Sequence, residues 1–147
     1  MDVMKIIEKI REFEYLDVIL TVLIVFVFYQ LLGIAFGTSH PLDVVVSESM
    51  LPNLKPGDLV VCIKDKPKIG DVVIYSGVRN YPIIHRVIGI NDSYCREKIN
   101  GTCYHIKGDN NNISDPPVSE KQIMCVVKLQ IPYVGYPRYL IYKLIGI

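Results

Sequence analysis

Nineteen consecutive residues, Val18 to Phe36, carry no charge, and only Thr21, Gln30 and Gly33 interrupt their aliphatic and aromatic side chains. As a helix rising about 1.5 Å per residue the run reaches about 28 Å, close to the roughly 30 Å of a bilayer's hydrocarbon core. A transmembrane helix over residues 17–37 is expected. A cleavable leader would have a shorter apolar region closed by small residues, whereas this run continues into Phe36-Gly37-Thr38-Ser39-His40-Pro41, so the expectation is an anchor that stays. Lys5, Lys9 and Arg11 precede the span and no lysine or arginine follows it before Lys55. The positive-inside rule then puts the N-terminus in the cytoplasm and the bulk of the chain on the far side.

The span divides the rest. In residues 1–16, Val3, Ile6, Ile7, Ile10 and Phe13 recur at helical spacing between charges, the pattern of an amphipathic helix at the cytoplasmic face or continuing into the span. Residues 38–130 read as a mainly β domain: short apolar runs at Leu42–Val46, Leu59–Ile63, Asp71–Tyr75, Ile83–Ile88, Tyr104–Lys107 and Ile123–Leu129 alternate with turn signals such as Pro56-Gly57, Asn91-Asp92 and Asn100-Gly101. The tail, 131–147, is rich in tyrosine, leucine and isoleucine, but its unbroken apolar stretch is too short to cross a bilayer. It is either an interfacial segment anchored by Tyr133, Tyr136, Tyr139 and Tyr142 or a cover packed on the β domain.

At 147 residues there is room for one domain beside the membrane segment, and a formal charge of +1 without a basic patch argues against nucleic acid as a partner. Of the four cysteines, Cys95 and Cys103 bracket a hairpin turn and could bridge in an oxidising compartment. Cys62 and Cys125 sit inside strand-like runs and are read as buried free thiols. No Cys-x-x-Cys pair occurs, so no zinc site is expected.

The chemistry gathers around Val44-Val45-Val46-Ser47-Glu48-Ser49-Met50-Leu51-Pro52, an apolar strand that stops at two serines and is turned by a proline. A serine hydroxyl is a weak nucleophile at neutral pH and needs a base and oxyanion donors. Serines at strand ends also serve simply to satisfy backbone groups. Downstream, Ile83-Ile84-His85-Arg86-Val87-Ile88 carries one histidine, and the polar loop from Lys107 to Pro117 carries Asp109 and Asp115.

Three motifs, Ser47-Glu48-Ser49-Met50-Leu51-Pro52, His85-Arg86-Val87 and Gly108-Asp109-Asn110-Asn111 with Asp115 six residues after Asp109, together with the N-terminal span, resemble the type I signal peptidases, in the branch found in archaea and the endoplasmic reticulum. The likeness runs from about residue 18 to about residue 128. It implies a signal-peptidase-like β-rich catalytic domain behind an N-terminal transmembrane helix. It also implies a serine endopeptidase that removes signal peptides from secretory preproteins, cutting after small residues. By the resemblance Ser49 is the nucleophile, Ser47 and the Ser49 N–H serve the oxyanion, and His85 is the base where bacterial enzymes have lysine. Asp115 completes the set and Asp109 is a second, supporting acid. Which of the two aspartates pairs with His85 stays open, and either could be a solvated turn residue.

His105 and Lys107 are rival bases without the His-Arg-Val context, and His40 has little claim. Met50 and Leu51 would offer an apolar surface suited to work at a membrane face. Glu48 stands where bacterial relatives usually have glycine. No metal or organic cofactor is implied, because serine, histidine and aspartate suffice for acyl transfer. The implied partners are signal peptides, the lipid bilayer, and the translocon or other peptidase subunits. The implied location is the cell membrane, or the endoplasmic reticulum membrane in a eukaryote. Two alternatives fit parts of the pattern: a self-cleaving repressor-type protease, which uses a lysine base and lacks a span, and a catalytically silent, membrane-anchored module that binds signal peptides.

Overall fold

A computed structural model describes residues 3–77, 81–95, 99 and 101–145, with the side chains of residue 3 and residues 5–14 outside the description. The chain separates into two compact units, Met1–Ala35 and Phe36–Ile147. The first is a single helix, α1 (Val3–Phe36). It contains no proline, and its one glycine, Gly33, lies in the last turn, so nothing breaks the backbone between the charged N-terminal stretch and the apolar run. The amphipathic character read into residues 1–16 rests on side chains outside the described set. Helix α1 stops at Gly37, whose φ of +65° is the left-handed conformation that ends helices at little cost for glycine. From Tyr15 to Phe36 it is long and apolar enough to cross a membrane, and none of its most apolar window is buried. An unburied helix of this apolar character suits a lipid solvent.

The second unit is one antiparallel sheet, as the alternating short runs predicted. Its strands are β1 (Leu42–Val44), β2 (Leu59–Ile63), β3 (Val72–Ser76), β4 (Pro82–Ile90), β5 (Cys103–Lys107), β6 (Val118–Ser119) and β7 (Ile123–Ile131). The spatial order is β1-β2-β7-β3-β4-β5-β6. Six of these answer expected strands; the two-residue β6 is too short to leave a pattern. The Asn100-Gly101 turn falls partly outside the described residues.

Because side chains alternate across a strand, each face builds its own core. Val73 and Tyr75 of β3 join Val87, Tyr104, Ile106, Val118, Ile123 and Val126 on one face. Ile74, between them, joins Val45, Met50, Leu54, Val60, Cys62 and Cys125 on the other. Burying a side chain of this size contributes about 1.5–3 kcal/mol each, so the second face is worth several kcal/mol to the loop that supplies Val45, Met50 and Leu54.

Cys62 and Cys125 are not free thiols but a disulfide, with Cα atoms 5.6 Å apart. The reason is register. Cys62 lies opposite Val127 on β7, which leaves Cys125 two residues away on the same face and within bridging distance. A separation of 63 residues hides that from the sequence. Cys95 and Cys103 also bridge.

The tail packs on the β domain at its start. The Tyr133 N–H donates to Asp58 at 3.2 Å, and the Tyr136 ring lies so close over Gly57 that a Cβ there would strike it. From there α2 (Tyr136–Ile145) runs on, leaving Leu140, Ile141, Leu144 and Ile145 exposed.

Candidate active site

The ladder of β1 ends at Val44, although Val45 still exchanges backbone hydrogen bonds with Asp58 and Gly57. Pairing then ceases, and Val46, Ser47 and Glu48 are exposed. Leu51 N–H closes a turn on the Glu48 carbonyl at 3.2 Å and Leu54 N–H one on Met50 at 3.0 Å, so Ser49 stands at the entrance to a helical turn. Met50 is fully buried. It therefore offers no apolar surface to a membrane, contrary to expectation: its side chain pins the loop into the core beneath Ser49. The Ser49 hydroxyl is 3.0 Å from that of Ser47. Among the described residues the Ser49 N–H has no protein acceptor, which leaves it able to donate to a ligand.

His85, on β4, is 6% exposed. Its Nδ1 meets Asp115 Oδ2 at 2.5 Å. Donation from Nδ1 to the carboxylate leaves the Nε2 lone pair of a neutral ring free to accept a proton. Behind the pair lies Tyr75, buried in the first core with its ring tilted against His85 at 6.5 Å between centroids. Burial, then the Asp115 charge and a hydrogen bond to Asp115, push the Tyr75 phenol well above its ordinary range, so it stays a protonated donor toward Asp115. A cleft of about 230 Å³ opens here between Tyr75, Tyr81, Ile83 and Asp115.

Asp109 goes elsewhere. Successive residues of β4 face opposite ways, and Arg86 reaches Asp109 by two parallel hydrogen bonds, Nε to Oδ1 at 2.8 Å and Nη2 to Oδ2 at 2.7 Å. This fork geometry is the strong form of the pair. Arg86, foremost by hydrogen bonding, holds the Asp109 carboxyl below the usual carboxylate range. Asn53 Nδ2 adds a hydrogen bond to Asp109 at 2.7 Å. The next residue, Asn110, donates its N–H to the Ser49 carbonyl at 2.8 Å and its side-chain amide to that of Glu48 at 3.2 Å. Gly108 passes so near the Ser49 carbonyl that a Cβ would lie 2.7 Å from it. The Gly108–Asn111 segment thus straps the Ser49 loop to the strand of His85. Arg86 pairs with Lys107 in the sheet, so the loop leaves β5 beside His85 and Arg86, and its two acids fall on either side of β4.

No Ser49–His85 hydrogen bond is formed among the described residues; the strap is what joins their elements. His105 is engaged with Asp92 and Ser114, and His40 lies 3.9 Å from Asp43. Among the described residues no cluster is arranged to hold a metal ion. Sequence reading missed Arg86, Asn53 and Asn110 as members of the strap, although the adjacency of Arg86 to His85 and of Asn110 to Asp109 was a usable signal. It also missed Asp58, which is 1% exposed and accepts from Lys55, Gln130 and Tyr133.

No family model matches the chain, but known proteins align over most of its length. The signal peptidase complex catalytic subunit SEC11 of Zygosaccharomyces rouxii is 33% identical over 123 residues, 76% of this chain and 71% of that protein. The subunit of the same name from Yarrowia lipolytica is 33% identical over 142 residues, 83% of this chain and 79% of the relative. That from Schizosaccharomyces pombe is 30% identical over 152 residues, with 83% and 78% covered. With that coverage, an N-terminal apolar helix and a mainly antiparallel β domain, the chain belongs to the family of the signal peptidase catalytic subunit SEC11, the branch of type I signal peptidases that its motifs resemble.

Proposed function

We propose that this chain is a membrane-anchored serine endopeptidase that removes signal peptides from secretory preproteins, cutting after small residues, with Ser49, His85 and Asp115 as its catalytic groups. Ser49 Oγ attacks the scissile carbonyl while His85 Nε2 takes its proton. Asp115 holds the imidazole in the right tautomer and stabilises its cation. The tetrahedral oxyanion is met by the Ser49 N–H and the Ser47 hydroxyl. Collapse expels the amine, protonated by His85, and leaves an acyl-enzyme that water hydrolyses with His85 again as base. Asp109 is the supporting acid, acting through Arg86 and the strap on the Ser49 loop. The reading rests above all on the buried His85–Asp115 pair at 2.5 Å, beside relatives named as catalytic subunits. Those names give the silent binding module no support.

An extended substrate beside Val46 and Ser47 would find unpaired backbone to read and small pockets to set specificity. The relatives are named as subunits of a signal peptidase complex, which supports further subunits of such a complex as partners of this chain; the translocon and the bilayer complete the proposed partners. The proposed topology has residues 1–16 in the cytoplasm, a span at 17–37, and the catalytic domain of 38–130 with its tail outside, at the cell membrane or the endoplasmic reticulum membrane.

The test is cleavage of a preprotein in liposomes by the full chain and by Ser49→Ala, His85→Ala and Asp115→Asn. Losses of about 10⁴-fold are expected from each, with the product cut at the signal junction. Full cleavage by Ser49→Ala or His85→Ala would reject the assignment.

A further inference from the structure

A second series of hydrogen bonds runs through the loop that carries Asp115. His105 Nδ1 meets Asp92 Oδ2 at 2.8 Å, and its Nε2 meets the Ser114 hydroxyl at 2.9 Å. Tyr94 stacks on the His105 ring, with centroids 4.2 Å apart and planes 20° off parallel. The Tyr94 hydroxyl donates to the backbone carbonyl of Asp115 at 3.0 Å. Two consecutive loop residues are thereby held from one place, Ser114 by its side chain and Asp115 by its main chain. The Asp115 N–H is fixed as well, on the Ile106 carbonyl of β5 at 2.9 Å.

The holding place is itself anchored. The other Asp92 oxygen accepts the N–H groups of Tyr94 and Cys95, at 3.1 and 3.3 Å, which sets the turn that presents the Tyr94 ring. Cys95 is tied by its disulfide to Cys103, two residues before His105 on β5. Gly89 lies opposite His105 across the β4–β5 ladder, and a Cβ there would run into the Asp92 carboxylate. Space for the Asp92–His105 pair is thus left by the one residue type that leaves it.

Asp, His and Ser in this order could be read as a second nucleophilic set. The bond from Tyr94 to Asp115 points to a different task, since an independent nucleophile has no use for it. We propose that His105 is a positioning residue for the peptidase: with Asp92, Tyr94 and Ser114 it fixes the Ser114–Asp115 backbone so that the Asp115 carboxylate is aimed at His85 Nδ1. The inference rests on the reading of Asp115 as the acid of the catalytic set. Catalytic groups must be held within about 0.5 Å of their productive geometry by such support, and a carboxylate on a loop has no strand ladder to do it.

The experiment is preprotein cleavage by the full chain in liposomes, with Tyr94→Phe and Ser114→Ala made in the unmutated chain and in Asp115→Asn. Tyr94→Phe keeps the stacked ring and deletes only the donor. Each single variant is expected to lower kcat about tenfold, as a displaced catalytic group does, with KM held within about twofold because substrate binding is untouched. In the Asp115→Asn background neither should cost anything more, the non-additivity of groups that act through one another. Equal losses in both backgrounds, or no loss in either, would overturn the proposal. So would abolition of cleavage by Ser114→Ala, which would make Ser114 the nucleophile. Full activity of Asp115→Asn would remove the catalytic reading beneath the inference, and the inference with it.

Discussion

Arg86 and Asp109 form a two-bond ion pair beside His85, the proposed base, and tie the Ser49 loop to the strand of His85. The lowered Asp109 value means that the ion pair stabilises the fold at pH above the unfolded-state value of about 3.9, and that this contribution is withdrawn as pH falls through the folded-state value. Asp109→Asn should therefore lower the unfolding temperature at pH 7, with the gap to the unmutated chain closing below about pH 4; a gap independent of pH would contradict the pair. Asp58 makes a second prediction at this scale. Removing a 1% exposed carboxylate takes away the acceptor of three hydrogen bonds, from the Lys55 and Tyr133 N–H groups and the Gln130 amide. Hydrogen bonds to a charged group are the stronger kind, so Asp58→Ala should cost on the order of 3 kcal/mol in denaturant unfolding. Ser49, His85 and Asp115 could be picked out from their motifs. The pairing of His85 with Asp115 could not, because it depends on where the loop leaves β5 relative to β4, and two aspartates six residues apart look alike on paper.

Strands announced themselves where apolar runs met turn residues, as at Leu59–Ile63 and Ile123–Ile131. What joined them did not. The Cys62–Cys125 bridge ties β2 to β7 across 63 residues, and closing a loop of that length in the unfolded chain is worth about 4 kcal/mol in the chain-entropy account. Replacing both cysteines by alanine should lower unfolding stability by about that amount, read as a shifted denaturant midpoint with an intact sheet; an unchanged midpoint would contradict it. Helix α2 was hidden for a different reason. Pro137 reads as a breaker in an apolar tail, yet it is the second residue of the helix, in the first turn where a missing N–H costs nothing.

Across the whole molecule, the split between an apolar helix long enough to cross a bilayer and a β domain was written in the distribution of charge, since an uncharged run of nineteen residues has few other homes. The strand order was not: β7 enters between β2 and β3, a placement decided by non-local register that no turn signal encodes. The proposed topology predicts that protease added to the cytoplasmic side of sealed vesicles leaves the β domain intact; digestion of that domain from this side would reverse the orientation. The central claim is that Ser49 is the nucleophile. All four native cysteines are held in disulfides, so Ser49→Cys would carry the sole free thiol. The measurement is preprotein cleavage by this variant before and after alkylation with a thiol reagent, beside the unmutated chain. The account predicts that the variant retains a fraction of the activity and loses it on alkylation while the unmutated chain is unaffected. Cleavage that continues at the same rate after complete alkylation at position 49 would contradict it.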